Sequence, residues 1–416
     1  MADKTIILKG RLIDGNGGTP IENSAVIIED NKIKTVCRVS ECPEIPGAIT
    51  YESENGSILP GLIDSHVHMS WCGAKAIEWI TSTPQMAMAY ALKDLAMVRK
   101  SGYTSVRDMG SDAIFFKEPA KAGLIDIPKI FGAGKILTQI GGHGDAYQKL
   151  SLEASMHAYS PAVIVNGVDE VRRACRVNAR NGADFIKIMT TGGVFSLGDT
   201  AAPHSHFSGE EIRAAVEEAE NMGTYVAAHA QANRGIHMAL KNGVKSIEHG
   251  FYLDEECVDI MVKNDCYLVP TLSIMHTSKM YFEKKEGELE YLKEKTNAAY
   301  EAHYRSLELA RKAGVKIAMG CDFLSDPEFG CSYDKSTMEF ERMKYAGFTP
   351  LEIITMATKR GAELMLASDR LGTVEEGKIA DVIYVKGNPA KDILLMCNEQ
   401  NVGLVLQDGR VVKDIM

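Results

Sequence analysis

The chain has 416 residues, 45% hydrophobic and 25% charged, with a formal charge of -10 at neutral pH. That length allows a large barrel-type domain plus a smaller one, and the ordinary composition excludes a disordered or low-complexity chain. The negative field repels phosphate, which argues against nucleic acid and anionic membrane as partners and for a small-molecule substrate.

Residues 1–59 read as short strands: "KTIILKGRLID", then "SAVIIEDNKIKTV" with a polar turn near Asp30 to Lys32, then "SILPG". The opening lacks the basic-then-apolar layout of a signal peptide, and no apolar run reaches the about 18 residues of a membrane span, so a cytoplasmic protein is expected. From 60 to 367 strands and amphipathic helices alternate. Eight strand candidates follow one another: "GLIDSHVH", "YTSVRDMG", "KIFGAGKILT", "ADFIKIMT", "YVAAHA", "KSIEHG", "YLVPTL" and "VKIAMGCD". Several helical stretches close on glycine, at Gly102, Gly182, Gly223, Gly243 and Gly314, and Ser208 with Glu211 spells a capping box. An α/β fold of the (β/α)8 TIM-barrel type is therefore expected. The alternative is a doubly wound open sheet, which should carry Gly-x-Gly-x-x-Gly after a strand, and none does. Residues 368–416 return to β patterning, "GKIADVIYVKG" and "VGLVLQDGRVVKDI", with a hairpin turn at Asp408 and Gly409. The two terminal segments are expected to join in one small β-sandwich domain.

In a barrel the active site is built where the strands end at their carboxyl side. His66 and His68, His143 in "QIGGHGD", Lys187, His229, His249 and Asp322 all fall there or within the strand. Two histidines one residue apart on an extended strand project to the same side and can grip one ion. His229 and His249 come from neighbouring strands about 4.8 Å apart, near enough to share an ion. Asp322 offers a carboxylate ligand or a base. Lys187 stands between Ile186 and Ile188 in a strand covered on both faces, where a lone ammonium is badly desolvated. A neutral amine there is a nucleophile, or adds carbon dioxide to give a carbamate able to bridge two metals. The plain alternative is a lysine that snorkels to the rim or pairs with a carboxylate.

These motifs, with "LPGLIDSHVH", "GYTSVRDMG", "GADFIKIMTTGG" and "LGTVEEGKIADVIYV", resemble the amidohydrolase superfamily along essentially the whole chain. The branch is the imidazolonepropionase-like one, which includes Xaa-Pro and Xaa-Arg dipeptidases and carboxypeptidases. The resemblance implies two zinc ions, with other divalent metals possible. His66, His68 and Asp322 would bind the more buried one, His229 and His249 the second, and Lys187 carboxylated by CO2 would bridge them. His143 would bind the substrate carbonyl or oxyanion. A metal-bridged hydroxide would attack the amide of a dipeptide or N-acyl amino acid, Asp322 passing its proton to the departing amine. Family members often assemble, so a homo-oligomer is implied. Imidazolonepropionase itself, which lacks the bridging lysine, fits less well. Other readings are a cyclic amide, carbamate or urea-like substrate, a metal-free binding protein on the same scaffold, or a Schiff base on Lys187.

Most of the other marked residues are expected to be structural. His204 and His206 read as a solvated loop pair, the alternative being a loop folded over the pocket to touch substrate; Cys72 and Cys321 read as buried fillers rather than redox-sensitive thiols, and Arg107 with Asp108 as an ion pair near the pocket rather than substrate ligands. The nine cysteines contain no Cys-x-x-Cys, so reduced and mostly buried thiols are expected. The charged run from Tyr281 to Lys295 reads as a solvated helix or lid, and Gln231 and Asn233 as residues within substrate reach.

Overall fold

The computed structural model describes residues 5–71, 82–194, 205–284 and 290–416. The chain opens with β1 (Thr5–Leu12), β2 (Ile21–Glu29), β3 (Lys32–Arg38) and β4 (Ile49–Pro60). Parallel strands follow: β5 (Leu62–Val67), β6 (Tyr103–Asp108), β7 (Lys129–Gly132), β8 (Ile136–Thr138), β9 (Ala162–Ile164), β10 (Ile186–Met189), β11 (Val226–Ala230), β12 (Ser246–His249), β13 (Tyr267–Val269) and β14 (Lys316–Ile317). It ends with β15 (Val382–Val385), β16 (Val402–Gln407) and β17 (Arg410–Asp414).

Among the described residues, one seven-stranded sheet runs β17-β16-β15-β4-β1-β2-β3 and so draws strands from both ends of the chain. Alternation sends one set of side chains, Ile6, Leu8, Val26, Ile28, Ile58, Val382, Tyr384, Leu404 and Leu406, into a core of its own. The opposite set, Leu59, Ile383, Val385, Val402 and Val405, packs into the main core under the helices. Tyr384 locks the middle of this sheet: its hydroxyl donates to the Lys9 carbonyl at 2.7 Å and accepts from the Ser53 amide at 3.0 Å. Only a residue without a side chain fits beneath it, since a Cβ on Gly56 would lie 2.2 Å from the ring.

The parallel strands form two groups, β5-β6-β7 and β14-β13-β12-β11-β10-β8-β9. Backbone hydrogen bonds join them at both margins. Ser65 donates to Met319 and Asp322 to His66, each at 2.8 Å, tying β5 to the segment after β14, while Asp184 donates to Gly132 at 2.8 Å beside β7. Helices cover these strands, among them Pro84–Lys100, Val168–Arg180, Gly209–Asn221 and Glu255–Lys263. The glycines expected past helix ends adopt the left-handed conformation at Gly102, Gly182, Gly223, Gly243 and Gly314, and Ser208 with Glu211 makes the reciprocal capping box. Asp408 and Gly409 both take positive φ in the hairpin between β16 and β17.

Two strands differ from the sequence expectation. "KIFGAGKILT" is broken into β7 and β8, because Gly134 at φ 72° turns the chain between them, and β9 at "AVI" adds an outer strand beside β8. The last candidate, "VKIAMGCD", keeps strand pairing only at Lys316 and Ile317, since its remainder bends to bring Asp322 over β5. Among the described residues, no helix is long and apolar enough to cross a membrane.

Candidate active site

Parallel pairing places the singled-out residues at one end of the strands. Register sets His229 opposite Met189 and His249 opposite Ala230, so both imidazoles sit at the carboxyl side, with Lys187 one step deeper, opposite Ala227. His66 lies near the end of β5 and His68 just beyond it. His66, His68, Lys187, His229 and His249 are all buried.

Each of four imidazoles has one nitrogen hydrogen-bonded to a group other than Asp322, a tie that orients the ring. His66 donates from Nδ1 to Glu248 at 2.8 Å, and His68 from Nδ1 to the Gly110 carbonyl at 3.2 Å. Their Nε2 atoms each stand 3.3 Å from the same oxygen, Oδ1 of Asp322. His229 donates from Nε2 to the Gly192 carbonyl at 3.1 Å, and Nδ1 of His249 meets the Thr271 hydroxyl at 2.7 Å. The rings of His66, His68, His229 and His249 form a chain with centroids 4.6 to 5.3 Å apart. His66, His249 and Asp322 offer ligand atoms all within 4.8 Å of one another.

The electrostatics are those of a cation site. Burial and neighbouring imidazole and ammonium charge hold His229 well below the usual histidine range, and burial does the same to His249, so both are neutral donors. Burial likewise opposes charge on His66, yet Asp322 and Glu248 overcome it and push that histidine up; positive charge is favoured at this point. Burial favours a neutral Asp322, but His66, His68 and His249 reverse that and hold the carboxylate well below its ordinary value. Imidazoles converging on a carboxylate are a donor set that could hold a divalent metal ion. Lys187 is 1% exposed, and burial lowers its ammonium to about 8 against the pull of Glu248. His143 stacks on His229 at 4.2 Å; burial and then the charge of His206 lower it to about 3. A Cβ on Gly193 would lie 2.3 Å from the His143 ring, so that glycine leaves the space the imidazole occupies.

Two expectations are corrected. Arg107 does not pair with Asp108. Its guanidinium grips Glu248 with both Nη atoms, at 3.1 and 3.2 Å, and lies over the Phe185 ring at 4.6 Å. Asp108 instead accepts from the Met69 and Gly110 amides and the Ser111 hydroxyl. The reason is direction: adjacent strand residues point to opposite faces. Nor is His206 a solvated loop residue. It is half-buried, its amide donates to Thr190 at 2.8 Å, and its charge is felt by His143. His204 and Cys72 lie outside the described residues, as do 285–289 of the charged run, whose flanks end the helix Leu272–Glu283 and begin Glu290–Ala313. Cys321 is a fully buried thiol, as expected. Gln231 accepts from the Val194 amide, while Asn233 ties the Tyr252 carbonyl to Asp254 and is structural.

Glu248 is the residue that sequence reasoning missed. It is fully buried, holds His66 and Arg107 at once and accepts from Ser246. Its signal was present: a carboxylate between Ile247 and His249 is the same anomaly that singled out Lys187. Asp64 was also passed over; one oxygen accepts from the amides of His66 and Cys321, both at 3.1 Å, and burial pushes its carboxyl up to about 6.

Residues 57–412 match the amidohydrolase family model. The chain is 31% identical over 430 aligned positions to the ochratoxinase of Aspergillus niger, covering 99% of this chain and 87% of that one. It is 25% identical over 414 positions to an imidazolonepropionase of a Shewanella strain, covering 90% and 92%. The crystal structure of the A. niger ochratoxinase superposes with a TM-score of 0.89 at 29% identity over 99% of this chain and 96% of that one. A prolidase crystallised with N-methylphosphonate-L-proline matches with a TM-score of 0.89 at 32% identity over 99% and 100%.

Proposed function

The chain belongs to the amidohydrolase family, in its imidazolonepropionase-like branch, and is a hydrolase of amide bonds; from that premise we propose that its substrate is a dipeptide or an N-acyl amino acid and its cofactor a pair of zinc ions. In this reading the two groups of parallel strands are arcs of one (β/α)8 barrel over 60–367, and segments 1–59 and 368–416 make the accompanying β domain. His66, His68 and Asp322 would hold one ion and His229 and His249 the other, with a carboxylated Lys187 as a further ligand of the pair. The supporting observation is the arrangement of four histidines, each committed through one nitrogen, around Asp322 and a buried lysine. Bound divalent ions supply Lewis-acid polarisation of the amide carbonyl and a water of lowered pKa.

The chain's own groups do the rest. His143, kept neutral by burial, donates a hydrogen bond to the carbonyl oxygen where charge develops. Asp322, kept ionised by three histidines, takes a proton from the attacking water and delivers it to the leaving nitrogen. Lys187 near 8 has a neutral fraction at physiological pH, as addition of CO2 requires. The amino-acid substrate class draws support from the prolidase and its proline-containing ligand.

The test is a mass-spectrometric hydrolysis screen of the zinc-loaded protein against dipeptides and N-acyl amino acids, with metal content measured and Lys187→Ala as the control. The expected result is two zinc ions per chain and cleavage of a related set by the wild type alone. Two bound ions with no cleavage of either class would overturn the substrate assignment in favour of cyclic amides or carbamates.

A further inference from the structure

His249 is held by a residue in an unusual conformation, and the two amides that follow that residue are held from a distant helix. Thr271 follows β13 and takes φ 54° and ψ 52°, the left-handed region that a β-branched residue rarely occupies. It stands at the N-cap position of the helix Leu272–Glu283, where a threonine ordinarily adopts extended backbone and caps the helix with its own hydroxyl. Here its side chain makes no cap bond; its Oγ1 faces Nδ1 of His249 at 2.7 Å. The capping duty passes to Glu339, on the helix Met338–Tyr345. One carboxylate oxygen accepts from the Leu272 amide at 3.0 Å, the other from the Ser273 amide at 2.7 Å. Both Thr271 and Glu339 are fully buried.

From this we infer that Glu339 is a positioning residue for His249, acting through Thr271. Glu339 and the Thr271 hydroxyl compete for the Ser273 amide at the helix start, the one of Glu339's two donors that an N-cap side chain can reach. While the carboxylate occupies that amide, Thr271 keeps its left-handed backbone and its hydroxyl stays on Nδ1 of His249, fixing the orientation of the imidazole. Without the carboxylate, Thr271 relaxes to the ordinary self-capping conformation and releases the imidazole, whose Nδ1 then turns to Asp322, already 3.9 Å away. His66 and His68 are tied independently, to Glu248 and Gly110, so the effect is confined to the half of the site that His249 serves. That confinement rests on the two-metal reading above; the orientation of the imidazole does not.

The experiment compares full-length wild type with Glu339→Gln, Thr271→Val, Thr271→Ser and the double variant Glu339→Gln/Thr271→Val. Two quantities are read: zinc affinity in competition with a chelator, and the tautomer of His249 by 15N-histidine NMR of the metal-free protein. Glu339→Gln and Thr271→Val should each weaken the second ion at least about tenfold, leave the first in place and convert His249 from one tautomer to a mixture. Thr271→Ser should behave as wild type, and the double variant should be no worse than Thr271→Val, because both act on one link. A Glu339→Gln protein that melts earlier but keeps its second ion and its His249 tautomer would make Glu339 a cap and nothing more. Should Glu339→Gln fail to fold, wild-type behaviour of Thr271→Val overturns the inference equally. A wild type that binds fewer than two zinc ions defeats the two-metal reading, and the metal-free tautomer then decides the inference alone.

Discussion

Asp322 shows how one carboxylate serves two ends at the residue scale. Burial raises its pKa, yet the imidazoles of His66 and His68, each 3.3 Å away, keep it charged, the state that the proposed ligand and proton-acceptor roles both require. Asp322→Asn retains the volume and an oxygen but cannot accept the proton. The expected outcome is a fall in kcat of at least about 10²-fold with KM changed far less, measured alongside metal content so that loss of the base is separated from loss of an ion. Activity above a tenth of wild type would contradict the role. Lys187 and Glu248 show the complementary case, in which a group that looks misplaced in an apolar strand is explained by its neighbours. The ammonium is drawn to the carboxylate, and the carboxylate is held by Arg107 and His66.

At the scale of elements, the site depends on how closely β5 approaches the segment after β14. The Asp322 amide donates to the His66 carbonyl at 2.8 Å, and Asp64 clamps the amides of His66 and Cys321 on either side of the join. Gly320 makes this approach possible, because a Cβ there would lie 2.6 Å from the His66 amide nitrogen, a backbone atom with no freedom to swing away. Gly320→Ala should therefore separate the two segments, lower the melting temperature and reduce zinc content, both measurable on the purified protein; normal zinc content in a stable variant would refute the close-approach argument. The same geometry appears in the backbone of His249 and Asp322, at φ 71° and 58°. Strand ends that turn into the left-handed region aim side chains across the top of the sheet, and the strain is sustained by the surrounding hydrogen bonds.

For the whole molecule, buried acids lead us to expect a pH dependence of stability. Asp94, on the helix Pro84–Lys100, is 1% exposed, and one of its oxygens has no hydrogen-bond partner. Burial raises its carboxyl from 3.8 to about 6, against a hydrogen bond from Ser325. Because the folded value lies above the unfolded one, its contribution is intact below pH 4 and is lost as pH rises to about 6. Asp94→Asn should accordingly stabilise the protein above pH 6 by about 1 to 3 kcal/mol, with the gain vanishing toward pH 4. Thermal melts of both proteins at pH 4 and pH 8 check this, and an equal difference at the two values would refute it. The sheet built from the two termini is fastened to the parallel strands by Lys129, whose ammonium lies 2.8 Å from both oxygens of Asp381, and by Gln407, which donates to the Ile127 carbonyl at 2.7 Å.

What could be read from the sequence is what depends on residue type and local spacing. Histidines one apart on a strand, a lysine flanked by isoleucines, glycines past helix ends and a Ser-x-x-Glu start each carry their meaning within a few residues. His66, His68, Lys187, His229, His249 and Asp322 could be picked out as candidates, and the helix ends placed, for that reason. The partners were not: Arg107 with Glu248, Asp64 with Cys321, and Glu339 with the helix that carries Thr271 join segments far apart in the chain. Which of them meet is settled by strand register and by the direction of each side chain, and adjacent residues such as Arg107 and Asp108 are sent to opposite faces by the pleat. The sequence by itself therefore determined the chemistry available at the strand ends, while the tertiary structure alone decided which nitrogen of each histidine is committed and which groups hold it there.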